Sequence, residues 1–334
     1  MMLETERPER SRVSINSMHV FAFLLVSAIV FREQIVGAVG AIPELQAGAT
    51  IFLGVFVQAT PFLVLGVLVS GGIAAFVSPA MLKRLLPNNE KAAVGVSGLA
   101  GMALPGCECG AVPVSRRLMD QGVPTSAALA FLLSAPAINP VVLVSTAVAF
   151  PGEPRMVLAR FLGSLATALI MGWLWARIGK TEWITARVSA RHQDTGRSKW
   201  EVFSEAARHD LMQAGAFLVF GAGLAAVLHI IVPDWVLEHL AGQMLLAIGV
   251  MAILAVVLAL CSEADAFVAA SMSMLPLLPR LVFLVVGPAV DVKLMAMQAG
   301  SFGRGFVLRF APVTFVVAVV CASILGYVVL GGAR

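Results

Sequence analysis

Charged side chains are scarce in this chain of 334 residues. They make up 13% of it, against about 25% in soluble domains, and hydrophobic residues reach 59% against about 45–50%. That balance excludes an ordinary soluble domain. A nucleotide-binding motif is also missing, which argues against direct coupling to ATP within the chain. The five histidines, His19, His192, His209, His229 and His239, show no ligand spacing, and no haem or quinone signature stands out. Cysteine is limited to Cys107, Cys109, Cys261 and Cys321. The net charge of +4 calls for no nucleic-acid partner, because positive residues collect in the cytoplasmic loops of membrane proteins.

What is present is a set of long apolar runs. Several approach or exceed the ~20 residues that cross a bilayer as a helix. The expected class is an all-α polytopic membrane protein with about 7–9 membrane segments. Its setting is the cytoplasmic (inner) membrane and its first partner is the lipid bilayer.

The chain also repeats itself. A shift of 152 takes Cys109, Pro124, Phe131, Pro136 and Ala137 onto Cys261, Pro276, Phe283, Pro288 and Ala289, and Asn139 onto Asp291. Upstream, a shift of 155 pairs Gln58, Ala59, Phe62, Leu63, Val64 and Gly66 with Gln213, Ala214, Phe217, Leu218, Val219 and Gly221. Downstream, a shift of 149 pairs Arg155, Arg160 and Phe161 with Arg304, Arg309 and Phe310. Small changes of offset are what loop insertions produce. The organisation expected is 1–46 as a cytoplasmic tail and first membrane helix, 47–177 as repeat 1, 178–208 as a cytoplasmic loop, and 209–334 as repeat 2. The short apolar stretch within 18–40 also fits a cleaved signal.

Charge sets the topology. Lys83, Arg84 and Lys91, then Arg116 and Arg117, then Lys180, Arg187, Arg191, Arg197, Lys199 and Arg208 mark cytoplasmic loops. Residues 92–104 are short for a full crossing, and Pro105-Gly106 makes a turn, so 92–115 is expected to enter and return. Cys107, Glu108 and Cys109 then lie near the tip of a re-entrant hairpin. The next helix, 125–150, is expected to break at Ser134-Ala135-Pro136. Residues 242–279 form a second hairpin with 261–265 near its tip. The N-terminus is then cytoplasmic and the C-terminus external. Three crossings and a hairpin per half orient the halves oppositely, as in the inverted repeats of secondary transporters.

Cys-Glu-Cys-Gly-Ala-Val-Pro at 107–113, followed by Leu-Ser-Ala-Pro-Ala-Ile-Asn-Pro at 133–140, resembles a predicted-permease family. That family includes the organoarsenical efflux permeases (ArsP type). Its pattern is Cys-x-Cys-Gly-x-x-Pro and then Leu-x-x-Pro-x-x-Asn-Pro, which positions 107, 109, 110, 113, 136, 139 and 140 fit. Cys-Ser-Glu-Ala-Asp-Ala-Phe at 261–267 resembles one subgroup. The resemblance covers most of the chain and implies a permease.

The residues carry matching chemistry. Cys107, Cys109 and Cys261 form a tentative soft-metal or metalloid set, because thiolates select soft ions. Buried cysteines are also ordinary small hydrophobes, the reading that suits Cys321. Glu108, Glu263, Asp265, Asp291 and Lys293 are ionisable groups inside membrane sequence, where each costs ~2.5–3.5 kcal/mol and normally faces a cavity or a partner. Lys293 is expected to meet Glu263 or Asp265. These three are the candidates for proton or ion coupling; a purely structural pair is the alternative. Asn139, Pro136, Pro288 and Asp291 suit half-helix ends that could hold a polar group of the solute at mid-membrane. Arg116 and Arg117 read as cytoplasmic anchors, and Arg160 and Arg309 as residues that snorkel to the interface.

The function expected is secondary transport of a small thiophilic solute, a metal, metalloid or thiol-bearing molecule, with proton coupling. A divalent-cation permease using the carboxylates is a second reading. A membrane thiol oxidoreductase is a third, weakened because the repeat holds no second Cys-x-Cys. No enzyme activity and no cofactor are expected. The partners are the solute, and a homo-oligomer or second permease subunit.

Overall fold

The computed structural model describes Gly37 and residues 42–77, 86–87, 89–104, 108–180, 183–184, 198–231 and 243–331. The Pro105-Gly106 turn with Cys107, the loop cations Lys83 and Arg84, and much of the expected cytoplasmic loop 178–208 lie outside these residues, as do the two chain ends. The chain divides into Met1–Ala49 and Thr50–Arg334. The described part of the first unit is helical from Pro43. The account below concerns the second.

Among the described residues every element is helical. In order they are α1 (Pro43–Phe76), α2 (Glu90–Ala100), a 3-10 turn (Gly101–Ala103), α3 (Glu108–Asp120), α4 (Thr125–Ile138), α5 (Pro140–Ala149), α6 (Pro154–Ile178), α7 (Lys199–Ile231), α8 (Met244–Leu258), α9 (Asp265–Ser271), α10 (Leu277–Ala289), α11 (Val292–Phe302) and α12 (Arg304–Leu330). Among the described residues five stretches are long and apolar enough to cross a bilayer: Leu45–Phe76, Thr125–Ala149, Pro154–Ile178, Leu277–Phe302 and Arg304–Leu330. The protein is a multi-pass membrane protein.

Two helices form the centre. From Ser126 to Ile138 every residue of α4 is buried, and α10 is buried over all but Leu277 and Arg280. A helix that is apolar on all sides has to be enclosed, because it has no solvent face. α4 packs on α2, α3 and α6, and α10 packs on α6, α8 and α12. The outer helices are one-sided. α1 buries Ala59, Leu63, Val67 and Ser70, a single stripe at helical spacing, while Leu53, Val57, Val64 and Leu68 stay exposed, as lipid-facing positions should. α1 reaches α3 at Gly66, where an added Cβ would stand 2.3 Å from the Gly110 Cα. Only glycine allows backbones that close.

The breaks fall three residues later than the sequence suggested. Pro136 lies inside α4, and the helix ends at Asn139. Both Ala135 and Asn139 precede a proline, which pushes a residue toward extended backbone. Only Asn139 has a side chain that can cap. Its backbone is extended (ψ 156°), its Oδ1 accepts from the Val142 N–H at 3.0 Å, and its Nδ2 donates to the Ala135 carbonyl at 2.9 Å. One side chain thus serves both helix ends, and Pro140 at the first position of α5 needs no partner for its nitrogen. The same construction recurs 152 residues on. Pro288 stays inside α10, and Asp291 caps α11 by accepting from the Leu294 N–H.

The two segments expected to re-enter the membrane differ from each other. α2 and the 3-10 turn lead to α3 across 105–107. The second ends α8 at Ala259, which holds a left-handed conformation (φ 46°, ψ 43°). For a residue with a side chain that conformation is strained, and such strain concentrates at functional sites. The chain then passes through Cys261 and Glu263 into α9.

Candidate functional site

The hairpins and the helix breaks deliver their ionisable residues to one buried place. Glu108 and Cys109 open α3 and are buried. Cys261 and Glu263 occupy the link between α8 and α9, and Asp265 opens α9. Asp291 caps α11, and Lys293 follows in its first turn. Lys293 and Arg160 are both fully buried at 0% exposure, and neither Lys nor Arg is buried to that degree without partners.

Those partners come from opposite ends of the chain. Lys293 forms an ion pair with Glu108. Its Nζ also approaches the Ala259 carbonyl at 3.4 Å and the Cys261 Sγ at 3.9 Å. Glu108, Cys109, Cys261 and Asp291 are its electrostatic neighbours. α7 closes over it: a Cβ on Gly221 would lie 2.9 Å from the Lys293 Cα. Arg160, on α6, pairs with Asp265 at 2.8 Å. Its guanidinium also donates to the Ser262 carbonyl at 3.0 Å and the Thr146 hydroxyl at 2.8 Å. So a cation from the C-terminal part holds the first hairpin, and a cation from the N-terminal part holds the second.

This corrects two expectations. Lys293 pairs with Glu108 and not with Glu263 or Asp265, because Asp265 is already taken by Arg160. Arg160 does not snorkel; it is enclosed at the centre. Sequence reasoning missed it as a site residue, although an arginine seven positions into an apolar helix was signal enough to expect a buried partner. Arg309, its counterpart by the 149-residue shift, is exposed, with its guanidinium 5.1 Å from the Trp183 ring centre.

Charge does not balance here. Glu108, Glu263, Asp265 and Asp291 face Arg160 and Lys293, four potential anions against two cations. Both carboxylate oxygens of Glu263, Oδ1 of Asp265 and Oδ2 of Asp291 are buried without a hydrogen-bond partner among the described residues. Two uncompensated negative charges inside a membrane protein are costly.

Among the described residues no three His, Cys, Asp or Glu side chains are arranged to hold a metal ion. Cys109 and Cys261 are both buried, as is Cys321 away in α12. Pro136 and Pro288 sit in helix interiors, and Asn139 serves as a cap. Arg116 and Arg117 are more than loop anchors: Arg116 donates to the Ser301 carbonyl, and Arg117 meets Asp210 at 3.2 Å, where the Ser70 hydroxyl also donates at 2.6 Å. They tie α3 to α11, α7 and α1.

Comparison with known proteins gives the family. A family profile described as a predicted permease (ArsP_1) matches residues 44–327. The chain belongs to this predicted-permease family. A putative two-component membrane permease complex subunit of Streptococcus mutans is 33% identical over 282 residues, 83% of this chain and 94% of that protein. The UPF0718 protein YcgR of Bacillus subtilis is 37% identical over 281 residues, 83% and 95% of the two chains. No solved structure matches. Membership of this family supports a membrane transporter.

Proposed function

We propose that this permease carries a small thiophilic solute, a metal, metalloid or thiol-bearing molecule, across the cytoplasmic membrane in exchange for, or together with, protons. The observation that carries the reading is the excess of buried carboxylate over buried cation beside the two buried thiols Cys109 and Cys261. Cys109 and Cys261 supply soft ligands from two hairpins. Lys293 reaches the Cys261 Sγ at 3.9 Å. Glu263, with its unpartnered oxygens, supplies a place for a proton that leaves when the solute arrives. Glu108, Asp265 and Asp291 complete the cluster with Lys293, and Cys107 would add a third thiol.

The 152-residue spacing of the two capped breaks supports a two-repeat architecture. With an odd number of crossings per repeat, the halves are oppositely oriented and the site lies at mid-membrane, the plan of an alternating-access transporter. On this reading the N-terminus and the Arg116/Arg117 face are cytoplasmic and the C-terminus is external. The printed name of the Streptococcus protein, a subunit of a two-component complex, supports a second permease subunit as a partner of this chain.

The test is a solute panel on the full chain in proteoliposomes carrying a pH-sensitive dye. Arsenite, methylarsenite, antimonite, zinc, copper and small thiols are the probes. At least one is expected to move protons, and Glu263→Gln should abolish that movement. A panel in which no member moves protons, or in which Glu263→Gln changes nothing, rejects proton coupling of a thiophilic solute.

A further inference from the structure

The side-by-side packing of α3 and α11 has an unusual interior. At one end lies the Glu108–Lys293 pair. At the other, Arg116 donates to the Ser301 carbonyl. The two helices each carry a buried polar side chain with nothing to bond among the described residues, Ser115 on α3 and Gln298 on α11. Ser115 is 0% exposed and Gln298 1% exposed, and neither the Ser115 hydroxyl nor either end of the Gln298 amide has a hydrogen-bond partner among the described residues. Ser115 follows Glu108 by seven residues, two helical turns or about 10 Å along the same face. Gln298 lies between Lys293 and Ser301 on the facing helix.

A buried amide with both ends unpaired costs several hydrogen bonds, and proteins satisfy such groups with internal water. Apolar residues at both positions would pack without that cost. We infer that the α3–α11 seam is a water-lined route by which protons pass between the face bearing Arg116 and the buried Glu108–Lys293 pair. The occupant is water with its excess proton. Serine and glutamine suit it, because each can donate and accept in turn and neither holds a fixed charge that would trap the proton. The Arg116–Ser301 bond, with Arg117–Asp210 beside it, marks the mouth. The inference rests on the proton-coupled reading, but its test reads solvent access alone.

Two measurements decide it on the full-length protein. In nanodiscs, X-ray radiolysis of bulk and internal water oxidises methionines that touch water. Met297, one turn from Lys293, and Met251, in α8, are equally buried at 1% and 0%. Met297 is expected to oxidise about tenfold faster, since oxidation follows contact with the oxidant and not residue type. Equal, slow oxidation of the two overturns the route. This arm needs no substitution. In the second, Gln298→Cys and the control Ala318→Cys are treated with a charged, membrane-impermeant methanethiosulfonate in vesicles of both orientations and read at each site by mass spectrometry. Modification of Gln298→Cys alone, from the Arg116 face, is expected. No modification there, or modification only from the opposite face, overturns the route. A dry seam in a protein that still moves protons rejects this route and leaves coupling intact. A wet seam in a protein that moves none rejects its assignment to protons.

Discussion

Glu108, in the first hairpin, and Lys293, just past the second helix break, form an ion pair with no exposed atom to spare: their side chains are 1% and 0% exposed. Removing one partner strands the other charge, which typically costs about 3–5 kcal/mol. Glu108→Gln alone and Lys293→Met alone should both lower the melting temperature in detergent. The double variant should recover much of the loss. If it melts as low as the sum of the singles, the pair contributes nothing specific.

Arg160 should be less replaceable than Lys293. It spans Thr146, the Ser262 carbonyl and Asp265 with one planar group, a fork that a lysine cannot reproduce. Arg160→Lys is therefore expected to destabilise nearly as much as Arg160→Met, and Arg160→Met combined with Asp265→Asn to be more stable than Arg160→Met alone. Full stability of Arg160→Lys would contradict the three-way contact.

The thiols can be read without knowing the solute in advance. A panel member that binds should slow the reaction of a small maleimide with both Cys109 and Cys261 and leave Cys321 unchanged. Equal rates with and without every member would return Cys109 and Cys261 to the role of packing residues.

Ala259 offers a test of strain. Glycine accepts its left-handed conformation freely, so Ala259→Gly should stabilise by about 1 kcal/mol. A drop in melting temperature would mean that the methyl group is doing more by packing than it loses by conformation.

Orientation is checked by reporter tags. The N-terminus and 178–208 should report cytoplasm and the C-terminus the outside. A cytoplasmic C-terminus removes the opposite orientation of the halves.

The membrane class was legible from composition, and the gathering of Glu108, Glu263, Asp265, Asp291 and Lys293 from charge set in apolar sequence. Three things were not. The position of the break was misplaced because a proline marks where a helix can be interrupted, while the side chain before it decides whether it is: Ala135 continues, Asn139 caps. The partner of Lys293 was misassigned because proximity was judged within one hairpin, and the pair joins two parts of the chain. Arg160 was misread because the distance of an arginine from a helix end says how far its head could reach, not what waits beside it. Long-range pairing of this kind is fixed by how α6 and α11 pack, and a single sequence carries no trace of that.

The enclosure of α4 and α10 has a consequence for the lipid. A bilayer that is too thin or too thick acts on a helix through the atoms it wets, by tilting it or compressing its flanks. α4 and α10 offer it almost none, so their two capped breaks are shielded from membrane thickness. Whatever strain a change of lipid imposes falls first on α1, α6 and α12, whose outer faces carry exposed residues such as Leu68, Leu158 and Val316. The site would keep its geometry across membranes of different composition, while its outer helices tilt to suit each one.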